Sequence, residues 1–230
     1  MNKFQLFSLV APVLLLAMVA HEYAHGYAAL RQGDNTAQLA GRLTWNPLKH
    51  IDPFFTLILP ALMFYASGVA IGGAKPVPVN PSLYRNYVRG DIIVSLAGIA
   101  ANLALAVLFA LLLVPMGLGG RYIPALAESF SLLQLMFFEA VWVNLVLASI
   151  NLLPIPGLDG SHVFKHILPY SWAVQFQRIG RSTPLMFLLL FLMITKGGAI
   201  LTVWLAPATA ARDFLGRLIG PFLLPNPWTT

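Results

Sequence analysis

The sequence predicts an all-α polytopic membrane protein: about four to six membrane segments, a short surface β-hairpin and one re-entrant segment. Three observations lead there. The 230 residues are 58% hydrophobic and only 10% charged, whereas soluble domains carry about 25% charged residues. Mean hydropathy is +0.77. Five apolar stretches, at residues 6–30, 54–73, 92–114, 132–153 and 184–206, are each long enough to enter a hydrocarbon layer about 30 Å thick.

Taken in order, residues 6–30 follow Lys3 and so resemble a signal peptide, but cleavage after Ala20 would place Met18 at −3, where a small residue is preferred. It would also leave His21 at a new terminus, so the segment is expected to stay. Residues 36–48 alternate in part around Gly41 and contain the turn-like Asn46-Pro47, which predicts the hairpin. Pro60, Gly68 and Gly72-Gly73 interrupt 54–73 and predict a re-entrant or surface-lying piece. The proline-rich run to Pro81 is stiff and extended, suited to lining a groove. Residues 92–114 and 132–153 are uninterrupted. Lys196-Gly197-Gly198 breaks the last stretch, so a second, shallower piece is expected to reach Leu224. No repeat is visible, and residues 1–230 are expected to form one domain.

The formal net charge is +6. In a chain this apolar, Lys and Arg mark cytoplasmic loops, and no nucleic-acid partner is expected. With no cysteine, disulfides and thiolate metal sites are excluded, and a zinc site would need histidine and carboxylate ligands.

His21-Glu22-Tyr23-Ala24-His25 lies inside the first apolar stretch. On a helix, positions i and i+4 share a face, so His21 and His25 can offer two imidazoles to one metal ion. Glu22 projects about 100° away, close enough to act on a bound water without ligating. Ionisable groups at membrane depth are costly, which makes the cluster a functional candidate. A third ligand is available in Asp159, which follows an apolar helix and the Pro154-Ile155-Pro156 break. Two histidines, one carboxylate and an open fourth position form a hydrolytic zinc arrangement, with Glu22 as the base.

The topology that joins these residues is testable from charge. For Asp159 to meet His21 and His25 at one depth, the helices ending near residues 30 and 153 must run parallel, with an odd number of crossings between them. If 54–73 does not cross, one side carries Arg31, Arg42, Lys49, Lys75, Arg85, Arg89, Lys165, Arg178 and Arg181. The other then keeps Lys3 and Arg121, nine against two. A crossing there would give seven against four. The sharper bias places the site nearer the cytoplasmic face, with the N-terminus outside.

These residues carry a resemblance. The HEYAH helix, Asn-Leu-Leu-Pro-Ile-Pro-Gly-Leu-Asp-Gly at 151–160 and Ala-Gly-Ile-Ala-Ala-Asn at 97–102 resemble the site-2 protease family of intramembrane zinc metalloproteases. Gly-Arg-Leu-Thr at 41–44, Asn46-Pro47, His50-Ile51-Asp52-Pro53 and the stretch 75–81 extend the likeness to about residue 170. The resemblance implies one Zn²⁺ per chain held by His21, His25 and Asp159, Glu22 as catalytic base and Asn151 as a catalytic contact to substrate or oxyanion. Asn102 is the candidate for lining the substrate cleft. It implies a catalytic core at about 6–170, C-terminal membrane segments at about 184–224, membrane-anchored protein substrates, and a multi-pass protein of a prokaryotic cell membrane. Ile99 departs from the proline usual in that motif, which bears on the local kink. No PDZ or CBS domain is recognisable, so a compact, minimal member is expected.

Blander readings exist for each residue. The His-Glu-His cluster can be a buried polar network, Asp159 a helix cap, and Asn151 or Asn144 an interhelical hydrogen-bonder. His162 and His166, one turn apart, read as interfacial side chains more readily than as a second metal pair. At the level of the whole chain, the alternative is a catalytically silent protein that binds metal or a partner helix. A metal transporter is a weaker option, because the ionisable groups form one compact cluster.

Overall fold

The computed structural model describes residues 2–67, 72–180 and 198–225. α1 (Lys3–Gln32) opens on a capping box between Asn2 and Gln5 and closes on Gly33, whose φ of 111° puts it in the left-handed region. At about 1.5 Å per residue it runs about 45 Å, longer than a hydrocarbon layer. α2 (Thr36–Leu39) is a single turn. A π-helical turn at Pro53–Ile58 leads into α3 (Leu59–Ser67). α4 (Tyr87–Tyr122) begins on Asn86, whose side chain accepts from the Arg89 N–H, and α5 (Ala127–Asn151) follows after a short turn. α6 (Asp159–Lys165), α7 (Tyr170–Gly180) and α8 (Gly198–Ile219) complete the described helices.

Three of these are long and apolar enough to cross a membrane: Lys3–Gln32, Tyr87–Tyr122 and Pro124–Asn151. Among the described residues that is one fewer than the smallest number expected from sequence. The expected segment at 184–206 lies outside the described residues up to 197, and its remainder is the start of α8. Among the described residues, the segment at 54–73 holds the π-helical turn and the short helix α3 through Ser67. Its two ends are tied together, since the Gly73 N–H donates to the Phe55 carbonyl and the Thr56 hydroxyl donates to the Gly73 carbonyl. Gly72 permits this return, because a Cβ there would lie 2.2 Å from Pro60 Cγ.

α1, α4 and α5 form the core. Asn102 on α4 bonds Ala17 on α1 and Asn144 on α5 at one level. Nearer one end His25 of α1 meets Val94 of α4, and towards the other Gln134 of α5 meets Leu113 of α4. α4 is therefore antiparallel to both neighbours, and α1 and α5 run parallel, as the ligand argument requires. Val13, Phe109, Leu113 and Val141 pack one cluster, and Val10, Leu14, Met18 and Val143 another. On α4 the opposite face exposes Leu103, Val107 and Leu111. An outward face of apolar side chains suits a lipid surround. α8 packs back on α5, where Trp204 Nε1 donates to the Ser149 carbonyl at 2.7 Å.

The hairpin expected at 36–48 does not form, and no strand occurs among the described residues. Local bonds satisfy the backbone there instead. Asp34 Oδ1 accepts from the Thr36 N–H and hydroxyl, starting α2. Gly41, at φ 63°, closes it by letting the Arg42 N–H reach the Ala37 carbonyl. Asn46 then accepts from the Leu48 N–H and starts a 3₁₀ turn on Pro47. With these groups paired within a few residues of each other, no ladder is left to build.

Candidate metal centre

α1 contributes two imidazoles from one face, and α4 orients both. His21 Nδ1–H donates to Asn102 Oδ1 at 2.6 Å, and His25 Nδ1–H donates to the Val94 carbonyl at 2.7 Å. Those outer bonds fix the tautomer, so each Nε2 presents its lone pair inward. The two Nε2 atoms lie 2.9 Å apart. Asp159 Oδ2 lies 3.1 Å from His21 Nε2 and 3.3 Å from that of His25. A tetrahedral site with bonds of about 2.0–2.1 Å has edges of about 3.3 Å. The spacing fits a small cation.

The chemistry of the donors fits too. Asp159 Oδ2 is buried and has no hydrogen-bond donor. Two imidazole lone pairs and a carboxylate oxygen pointed at one spot repel one another unless a cation sits among them. Among the described residues, these three form the one group of histidine, cysteine or acidic side chains arranged to hold a metal.

One stripe of α4 builds the wall behind them. Asp91, Val94, Gly98 and Asn102 recur every three or four residues and so share a helix face. Gly98 is the close approach. A Cβ there would lie 2.5 Å from His25 Nε2 and 2.6 Å from His21 Nε2. Only glycine leaves room for both ring edges. Asp159 comes from the far side, as the first residue of α6. Gly157, at φ 96°, turns the chain into that helix. Gly160 packs so tightly on the end of α5 that a Cβ would lie 2.2 Å from the Leu152 carbonyl oxygen.

Glu22 stands beside the three ligand atoms and accepts the Val77 N–H at 2.7 Å from the extended run after Gly72. A cavity of about 260 Å³ is lined by His21, Glu22, His25, Asn151 and Asp159, with Val77 and Val79 across from them. Asn151 donates to the Leu147 carbonyl at 3.0 Å while lining that space. Tyr84 closes one side, its phenol pushed above its ordinary range by burial and by the charges of Asp34 and Asp91.

Residues 9–192 match the family model described as Peptidase family M50. The chain belongs to Peptidase family M50. Within that family, the chain is 35% identical over 214 residues to a Bacillus subtilis protein named "Putative zinc metalloprotease YwhC", covering 92% of this chain and 91% of that one. It is 40% identical over 155 residues to Mycolicibacterium smegmatis "Putative zinc metalloprotease Rip2", covering 67% of this chain and 55% of the relative. The Mycobacterium tuberculosis Rip2 is 33% identical over 168 residues, 71% of this chain and 59% of its own length. No solved structure gives a significant match.

In this M50 chain the structure gathers His21, Glu22, His25, Asn151 and Asp159 around one cavity. It does not put Asn102 there. Asn102 is fully buried behind His21, with its amide donating to Asn144 at 2.9 Å and to the Ala17 carbonyl. From there it holds the His21 ring and does not face the cavity. Asp159 does not cap α6 either; the cap position is Leu158, with no side-chain bond. His162 and His166 both turn to Asp91, with Lys165 between them, and an ammonium there excludes a second metal pair. In the sequence Gly98 has a place in the 97–102 motif but no role, and Asp91 has neither. The signal for Asp91 was available: a lone acid within an otherwise apolar helix, matched by His162, Lys165 and His166 at one-turn spacing.

Proposed function

We propose that the protein is a zinc-dependent intramembrane endopeptidase that hydrolyses peptide bonds of membrane-spanning substrates, in the manner of regulated intramembrane proteolysis. The observation that carries this is the convergence of His21 Nε2, His25 Nε2 and Asp159 Oδ2 within 3.3 Å of one another, where α6 brings Asp159 against α1, a helix long enough to span a membrane. Membership of a peptidase family, with relatives named as zinc metalloproteases, supplies the class of reaction and the metal.

His21, His25 and Asp159 would hold the zinc. Zinc, when bound, polarises the scissile carbonyl and acidifies water. Glu22, steadied by the Val77 N–H, takes the proton of the attacking water and hands it to the departing amine. Asn151 lines the same space and offers a neutral amide to the developing oxyanion. A helical substrate hides its own carbonyls and must unwind to enter, and the extended run past Gly72 gives it an opposing wall. Residues 54–73 act as a re-entrant element that enters and leaves on one side. Residues 1–230 form one membrane-embedded domain, with a catalytic core at about 6–170 and C-terminal membrane segments at about 184–224. The charge bias orients it with the site nearer the cytoplasmic face of a prokaryotic cell membrane.

Glu22→Gln is the direct test. The variant should bind zinc as the parent does and lose cleavage of a membrane-anchored reporter; sustained turnover by it would remove Glu22 as the base.

A further inference from the structure

Asp91 stands one turn into α4, only 2% exposed, and takes no part in the chemistry above. Its carboxylate collects three donors. Lys165 Nζ lies 2.6 Å and His166 Nε2 2.7 Å from Oδ2, and His162 Nδ1 lies 3.2 Å from Oδ1. All three partners sit on α6 or at its C-cap. Lys165 also lies over the Tyr87 ring at 5.6 Å, and His166 meets that ring edge-on. One carboxylate therefore clamps the whole C-terminal end of α6 to the start of α4.

The other end of α6 is Asp159. A helix of seven residues has no stability of its own, so its position is set by what it is tied to. At about 1.5 Å per residue, Asp159 lies about 9 Å along a rigid rod from Lys165. The packing of Gly160 on the end of α5 fixes how closely α6 approaches, but it does not fix the direction of the rod. The Asp91 clamp does. Asp91 also lies one turn from Val94, whose carbonyl orients His25. The same turn of α4 thus registers both the helix that supplies the carboxylate and one of the imidazoles.

We propose that Asp91 is a positioning residue for the metal centre: through the clamp on α6 it sets the approach of Asp159 to His21 and His25, and so sets metal affinity. This rests on the reading of those three residues as zinc ligands. A purely structural Asp91 would neutralise Lys165 and matter for folding alone. The two roles separate in what they move.

The test uses the full chain, purified in detergent. It measures zinc affinity by competition with a chromophoric chelator, the visible spectrum of the Co²⁺-substituted protein, and thermal unfolding. Asp91→Asn combined with Lys165→Met removes both charges together and leaves no orphaned ion. His166→Phe keeps the Asp91–Lys165 pair, and therefore the fold, while removing one arm of the clamp. Both should weaken zinc binding, the double variant by about 10–100-fold, as for other residues that orient ligands. Both should alter the Co²⁺ bands without a matching change in unfolding. Asp91→Glu, which keeps the charge, should recover part of the lost affinity. Parental affinity and an unchanged Co²⁺ spectrum in each variant that folds would overturn the positioning role. A parent that binds no zinc, or binds it equally well as His21→Ala, would instead overturn the ligand assignment beneath it.

Discussion

Adding a single methyl group at Gly98 tests how tightly the site is built. The Cβ of Gly98→Ala would sit 2.5 Å from His25 Nε2 and 2.6 Å from His21 Nε2. An ordinary carbon–nitrogen contact needs about 3.5 Å, so the rings must retreat by about 0.9–1.0 Å. Neither is free to do so. His21 is held by Asn102 at 2.6 Å and His25 by the Val94 carbonyl at 2.7 Å. Metal–ligand bonds tolerate about 0.2 Å, several times less than the displacement. Zinc affinity should fall by at least 100-fold, or about 2.8 kcal/mol. Overpacking of this size costs the fold about 1–3 kcal/mol, so the chain should remain assembled. The assay is chelator competition beside thermal unfolding, with Gly220→Ala as a control, since a Cβ there meets nothing within 4 Å. A Gly98→Ala protein that binds zinc like its parent would refute the geometry described for the cluster.

Asn102→Ala should weaken zinc binding by about 10–100-fold through loss of His21 orientation. It should also cost about 1–3 kcal/mol, because His21 and Asn144 lose a buried partner; a thermal melt checks the second effect. Asp159→Ala should lower the zinc content of purified protein measured by metal analysis, and full occupancy would exclude it as an essential ligand. Chelation should abolish cleavage and added zinc should restore it, read on one reporter. Because the chain has no cysteine, single-cysteine variants report sidedness cleanly. Lys49→Cys should react with a membrane-impermeant thiol reagent only from the cytoplasmic side, and Tyr122→Cys only from the opposite side.

What the sequence made legible was local or strongly patterned. His21 and His25 meet because a helix repeats every 3.6 residues. Three of the five expected apolar stretches coincide with the long helices of the core, and at 54–73 Gly73 is bonded back to Phe55 and Thr56. Asp159 was reachable because a break after an apolar helix delivers its next residue to the helix end. The misreadings concern partners distant in the chain or competing local bonds. Residues 36–48 alternate weakly enough that Asp34, Gly41 and Asn46 settle them as turns. Asn102 points behind His21 rather than into the cavity, which depends on the rotation of α4 against α1 and leaves no mark in composition. Gly98 resembles any small residue in a membrane helix until the rings that occupy its missing side chain are seen. Asp91 finds its three partners more than 70 residues away, so its lone acid and their one-turn spacing become one clamp only when α6 is seen against α4.

The central claim is that this zinc site cuts within a membrane-spanning helix. The measurement that meets it most directly is mass-spectrometric mapping of the bond cut in a single-span reporter, with purified protein in lipid and zinc counted in the same sample. One zinc per chain is expected, with a cut inside the reporter's apolar segment or at its cytoplasmic edge, lost together with zinc in His21→Ala. Zinc-loaded protein that cuts only soluble loops far from the membrane, or cleavage that persists without the metal, would contradict it.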